Sequence, residues 1–295
     1  MIKHLVTGGC SFSTGDDDNG WTGYATQFLK KKFGSLTTSH TGKNSAGQEY
    51  IQKRIVSTLC ELIAQGTNPA EILVIVMWSG TSRKSWFIDN PSMIERMVNG
   101  WPNFHGGMTD QFLNLTNNSI DDPGTFTTKN GSEFKYNRNG GWYLTVNGSD
   151  CQLEFVQQHY LLDKEVNGVG KTHSSLENIV FLQNFCKLHG IKIVNQFFMK
   201  HVYADIERHQ EHEIIKYLYD QLDHSLFIKQ GMFEYLHKPM DVAEDDAVLL
   251  THDERKFRQN KYNLNYFAQD GFHPADQGNM VWCNEVLIPF INEQY

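Results

Sequence analysis

Three features of the sequence predict an α/β fold, a flavodoxin-like doubly wound parallel sheet of about five strands. Short apolar runs recur, the clearest being Glu71-Ile72-Leu73-Val74-Ile75-Val76-Met77-Trp78, continuous and rich in β-branched residues as a strand buried on both faces requires. Helical apolar spacing fills the intervals between runs, and this alternation implies parallel strands joined by right-handed crossovers. Turns of glycine and hydroxyl residues follow the runs, at the strand ends where such sheets carry their ligand sites.

The first run, residues 2–7, is broken by Gly8-Gly9-Cys10-Ser11-Phe12-Ser13-Thr14-Gly15. A glycine-rich turn leaving a strand can hold a serine Oγ toward solvent while nearby backbone N–H groups face an oxyanion, so Ser11 is the first candidate nucleophile. Trp21, Tyr24, Ala25, Phe28 and Leu29 then recur at helical spacing, and Gly34 closes that helix. Lys30-Lys31-Lys32 at its end reads as a solvated face suited to the helix dipole, and Asp16-Asp17-Asp18 before it as an exposed loop rather than a metal site.

A second strand is expected over 36–40. The small-residue turn Thr41-Gly42-Lys43-Asn44-Ser45-Ala46-Gly47-Gln48 then leads into a helix marked by Tyr50, Ile51, Ile55, Leu59, Leu62 and Ile63. Its free N-terminal amides would suit a second oxyanion donor. The third strand, 71–78, ends in Ser79-Gly80-Thr81-Ser82-Arg83. From about Pro91 the character changes to Gly, Asn, Thr and aromatics, with short alternating pieces bounded by Asn-Gly turns, so an insertion of loops and small hairpins is expected over about 91–172. Trp101, Phe104, Tyr136, Trp142 and Tyr143 there suit either a platform for sugar rings or the insertion's own small core.

Helical patterns are expected over 153–165 and 174–189, joined by a flexible connector at 168–172 that lacks the spacing of a phosphate-binding loop. A fourth strand follows at 191–198, helix signals return over 211–222, and 226–228 reads as a short fifth strand. His201, His209, His212 and Glu213 invite a metal reading, but no further ligand stands at a recognisable spacing and hydrogen-bonded or solvated histidines are expected. The polar stretch 241–265 reads as a long loop returning to the rim of the site.

At 295 residues, 40% hydrophobic and 20% charged, the chain reads as one domain spanning 1–295. A net charge of −8 excludes general affinity for nucleic acid or anionic membrane, which needs clustered Lys and Arg. Five scattered cysteines without a Cys-x-x-Cys pair read as reduced thiols. The first apolar run is too short for a signal peptide, and no stretch is long enough for a membrane span.

Serine is a poor nucleophile unless a base activates it and a third group orients that base. Asp270-Gly271-Phe272-His273-Pro274 supplies both, a carboxylate and an imidazole three residues apart on one turn, with Pro274 suited to the start of a helix running from Ala275. These residues resemble the SGNH (GDSL-type) serine hydrolases. Gly9-Cys10-Ser11-Phe12 is similar to that family's first block with Cys10 in place of Asp, and Asp270-x-x-His273-Pro274 matches its last block in full. Trp78-Ser79-Gly80-Thr81-Ser82 resembles the third block of the platelet-activating-factor acetylhydrolase branch, with Ser82 where the oxyanion Asn stands.

The resemblance implies Ser11, His273 and Asp270 as catalytic residues of an ester hydrolase that needs neither cofactor nor metal. It implies an oxyanion hole from Ser11, from Ser45 or Gly47 in the second block, and from Ser82, with Trp78 and Arg83 beside the substrate. Arg83 reads equally as a surface ion pair. A looser similarity to phage-encoded members with Gly-Cys-Ser-Phe and Trp-Ser-Gly blocks implies a glycan ester as substrate and a cytoplasmic or phage-associated protein. Because Ser82 is shorter than the usual amide, a catalytically weak or inactive glycan-binding module on the same fold is the alternative.

Overall fold

The structure is a computed structural model that describes residues 1–13, 19–43, 46–80 and 169–295, together with five short strands between residues 83 and 147. β1 (His4–Gly8) leads through a single 3₁₀ turn, Ser11–Ser13, to α1 (Trp21–Phe33), which Gly34 closes. β2 (Thr37–His40), α2 (Gln48–Ala64) and β3 (Ile72–Trp78) follow. β4 (Arg83–Ile88) precedes the segment expected as an insertion, which carries β5 (Phe112–Asn114), β6 (Pro123–Thr127), β7 (Glu133–Asn137) and β8 (Trp142–Asn147). β8 pairs antiparallel with β4 and β5, and β6 with β7. Antiparallel pairing thus begins at Arg83 rather than near Pro91. The helix expected over 153–165 lies outside the described residues.

Beyond it run α3 (Val169–His189), β9 (Lys192–Phe197), α4 (His201–Arg208), α5 (Glu213–Tyr219), β10 (Phe227–Gly231), α6 (Met232–His237) and α7 (His252–Lys261). The C-terminal helix consists of α8 (Asp276–Trp282), a π segment Cys283–Leu287, and α9 (Ile288–Gln294). Two expectations are corrected here. Val169 to Thr172 form the first turn of α3 and not a connector, and α7 occupies much of the stretch read as a loop. A capping box holds α7 open at its start, with Thr251 and Glu254 exchanging side-chain and backbone hydrogen bonds.

β2, β1, β3, β9 and β10 form one parallel sheet in that spatial order, which makes the fold an α/β doubly wound sheet of the flavodoxin-like order 2-1-3-4-5. Every residue of β3 is buried, as the central strand of a sheet covered on both faces must be. Its alternate residues divide between two cores. Ile72, Val74, Val76 and Trp78 pack with α2, α3 and α4, whereas Leu73, Ile75 and Met77 pack with α1, α6 and the C-terminal helix. Each such aliphatic side chain contributes about 1.5–3 kcal/mol by burial, so the sheet centre is the most stable frame available to the loops at its ends.

Two buried amides in β9 serve the two faces. Asn195 accepts from the indole N–H of Trp78 at 3.0 Å, and Gln196 accepts from that of Trp282 at 2.8 Å. Both tryptophans are thereby fully buried without losing a hydrogen bond.

Candidate active site

In a 2-1-3-4-5 sheet the connections from the two central strands diverge between β1 and β3, leaving a crevice at their carboxyl ends. Ser11 leaves β1 at that point. The turn that presents it is built by close contact. The Ser13 amide donates to the Cys10 carbonyl at 2.8 Å, closing the 3₁₀ turn. The indole of Trp21 donates to Ser13 Oγ at 3.2 Å. Gly9 is required because a Cβ there would collide with the Ser13 side chain and come within 2.9 Å of the Met77 carbonyl oxygen. Cys10, which stands where the resembled family has Asp, is buried among Ala46, Tyr50 and Val76 and acts as a small apolar residue.

The opposite wall comes from the C-terminal end of the chain. The segment 266–275 folds back on itself, with Ala268 N–H donating to the His273 carbonyl and Ala275 N–H to the Tyr266 carbonyl, each at 2.8 Å. α7 anchors this turn from behind. Gln259 accepts from the Phe267 amide at 2.8 Å, and His252 Nε2 lies 2.8 Å from the Gln269 carbonyl oxygen. Gly271 sits at φ 66°, the left-handed region that glycine adopts without strain, and so lets the turn reverse between Asp270 and His273.

These two walls bring residues 262 positions apart into contact. His273 Nε2 lies 3.0 Å from Ser11 Oγ. His273 Nδ1 lies 2.5 Å from Asp270 Oδ2, while Asp270 Oδ1 accepts from the Phe272 and His273 amides at 2.9 Å each. Partial burial raises the Asp270 carboxyl, but those two amides and the imidazole outweigh it and hold the group below its ordinary value. An ionised Asp270 makes Nδ1 the protonated nitrogen of a neutral His273, which leaves Nε2 with its lone pair toward Ser11. Phe12 packs against the imidazole at 4.8 Å between ring centroids and stacks on Phe198, so the imidazole is confined by a ring as well as by its hydrogen bonds.

Of the residues expected at the oxyanion side, Gly47 is buried and caps the N-terminus of α2. The Lys43 amide donates to the Gly9 carbonyl at 3.2 Å, which ties the start of the loop before α2 to the turn carrying Ser11. Gln48 then ties the start of α2 to the end of β3 through its amide, which donates to the Ser79 carbonyl at 2.6 Å. Ser45, Ser82 and the side chain of Arg83 lie outside the described residues. Trp78 requires a correction: it is fully buried on the α2 face of the sheet with its N–H given to Asn195, and it has no surface to offer a substrate.

A pocket of about 210 Å³ opens beside the Ser11–His273 contact, lined by Phe12, Asn19, Gly20, Pro274, Asp276 and Asn279 as well as by those two residues. The Tyr24 hydroxyl donates to Asp276 Oδ1 from α1. Burial and then the Asp276 carboxylate push the Tyr24 phenol up to about 12, so it remains a donor. None of Tyr24, Asp276 or Asn279 carried a motif; the relevant signal was their placement on helices that start at the two walls of the site. His209 of the suspected metal group instead has Nδ1 2.9 Å from Thr172 Oγ1, and among the described residues no three potential ligands cluster.

No protein-family model, curated protein or solved structure matches this chain.

Proposed function

We propose that the protein is a serine esterase that cleaves a carboxylic ester through an acyl-enzyme, and that its substrate is an acyl ester of a carbohydrate. The observation that carries this reading is the chain of contacts Ser11 Oγ to His273 Nε2 at 3.0 Å and His273 Nδ1 to Asp270 Oδ2 at 2.5 Å, at the switch point of the sheet. The sequence resemblance to SGNH hydrolases supports it independently of those distances.

In this mechanism Nε2 takes the Ser11 proton as Oγ bonds to the ester carbonyl carbon, and the carbonyl π pair moves onto oxygen. Asp270 holds the imidazole tautomer and stabilises the imidazolium. The oxyanion is received by the backbone N–H of Ser11 and that of Ser45 or Gly47, with the Ser82 hydroxyl as a third donor. Collapse breaks the bond to the alcohol, whose oxygen takes the proton from Nε2. Water then repeats the attack on the acyl-serine and releases the acid.

Hydrolysis of short p-nitrophenyl esters tests the reading. The native chain should turn them over in the presence of a chelator, and Ser11→Ala should abolish turnover. Retention of activity in Ser11→Ala, or its loss with chelator alone, would exclude a serine mechanism.

A further inference from the structure

The pocket beside Ser11 and His273 has a chemical side. His273 Nε2 must deliver its proton to the leaving alcohol oxygen, so the alcohol half of the ester has to lie against His273. The oxyanion donors implied by the resemblance belong to the loops that follow β1, β2 and β3, whereas this pocket is enclosed by residues 12, 19 and 20 and by α8. Its walls carry polar and apolar surface in nearly equal measure. Asn279 is only 7% exposed and its Nδ2 donates to the Pro274 and Ala275 carbonyls, so it is a fixed part of the wall. Asp276 offers a carboxylate of which, among the described residues, Oδ1 alone is engaged, by Tyr24.

We propose that this pocket receives the alcohol half of the ester and that Asp276, held by Tyr24, selects alcohols bearing further hydroxyl groups. The inference rests on the esterase reading. A hydroxyl donating to Asp276 satisfies an acceptor that a plain alkyl alcohol would leave without a partner on displacing water. A quaternary ammonium alcohol fits less well, because such cations are held by several aromatic faces and Phe12 is the one Phe, Tyr or Trp ring among the described lining residues. At about 210 Å³ the space lies below the roughly 300–1,000 Å³ of sites for drug-sized ligands, which matches a single sugar ring or a short polyol.

The experiment compares kcat/KM for three acetates with one acyl group: monoacetylated methyl glucoside, ethyl acetate and acetylcholine. The native chain should favour the glucoside by about 10-fold or more, a modest ratio because Asp276 is exposed. The near-isosteric Asp276→Asn should bring the glucoside-to-ethyl ratio down by about the same factor, and Tyr24→Phe should lower it in the same direction. Ratios within one preparation cancel any loss of folded protein. An unchanged ratio in both variants, or a native preference for ethyl acetate or acetylcholine, overturns the inference while leaving the esterase reading intact. Failure to hydrolyse even p-nitrophenyl acetate would instead overturn the esterase reading, and this inference with it.

Discussion

Replacing Asp270 by Asn separates orientation of the imidazole from simple occupancy of the site. The amide oxygen can take the place of Oδ1 and keep the Phe272 and His273 amides at about their present 2.9 Å, so the turn should persist. The –NH₂ then faces His273 Nδ1 across the 2.5 Å contact, where two donors cannot meet. The imidazole escapes by moving its proton to Nε2, which can no longer accept from Ser11. In a serine protease with buried partners this change costs about 10⁴ in kcat. Here the side chains of Asp270 and His273 are 51% and 41% exposed, so water relieves part of the mismatch and a loss of about 10³ is expected. That corresponds to about 4 kcal/mol of transition-state stabilisation. The assay is steady-state hydrolysis of p-nitrophenyl acetate from about pH 5 to 9, a range in which the depressed Asp270 carboxyl of the native protein stays ionised. A variant within tenfold of native kcat across that range would refute the role given to Asp270.

Two further outcomes follow from the packing. His237 is fully buried, with Nδ1 on the Phe233 carbonyl at 2.8 Å, and burial lowers its pKa from 6.5 to about 4. The nearby Arg255 and Arg258 act in the same direction and the Phe233 hydrogen bond against it. The unfolded chain therefore binds the extra proton first. This contribution to stability is complete above about pH 6.5 and is lost as the pH falls toward 4, by at most about 3 kcal/mol. Urea unfolding of His237→Met should show a correspondingly shallower loss between those two pH values, and an unchanged slope would contradict the assignment. Gly9→Ala places a methyl against Ser13 and the Met77 carbonyl, so it should lower stability by about 1–3 kcal/mol in thermal unfolding and reduce kcat by displacing Ser11; native values for both would contradict the close contact.

The sheet was legible because β3 is apolar without interruption and the runs around it are separated by helical spacing. Serine and aspartate are common turn formers, so Ser11, Asp270 and His273 were legible only jointly, as a serine turn after the first strand together with an Asp-x-x-His-Pro run before the last helix. α7 was not, because a helix that buries little besides Gln259 has no apolar stripe to betray it. Its signal was the capping box, Thr251 followed by Glu254. Trp78 was misjudged from its place at the end of the third strand. The period of two assigns it with Val74 and Val76 to the α2 face, and that alternation foretells a buried ring. The Tyr24–Asp276 pair joins residues 252 positions apart through the packing of α1 beside α8, which no local pattern announces.

The most direct test of the account is covalent labelling of the native chain by a fluorophosphonate, read by mass spectrometry of its peptides. Attack at phosphorus needs an activated serine and makes no use of the natural acyl group or alcohol. The account predicts one label per chain, carried by Ser11, and slowed by orders of magnitude in His273→Ala. Labelling of another residue, or none under conditions where His273→Ala and the native chain behave alike, would contradict it.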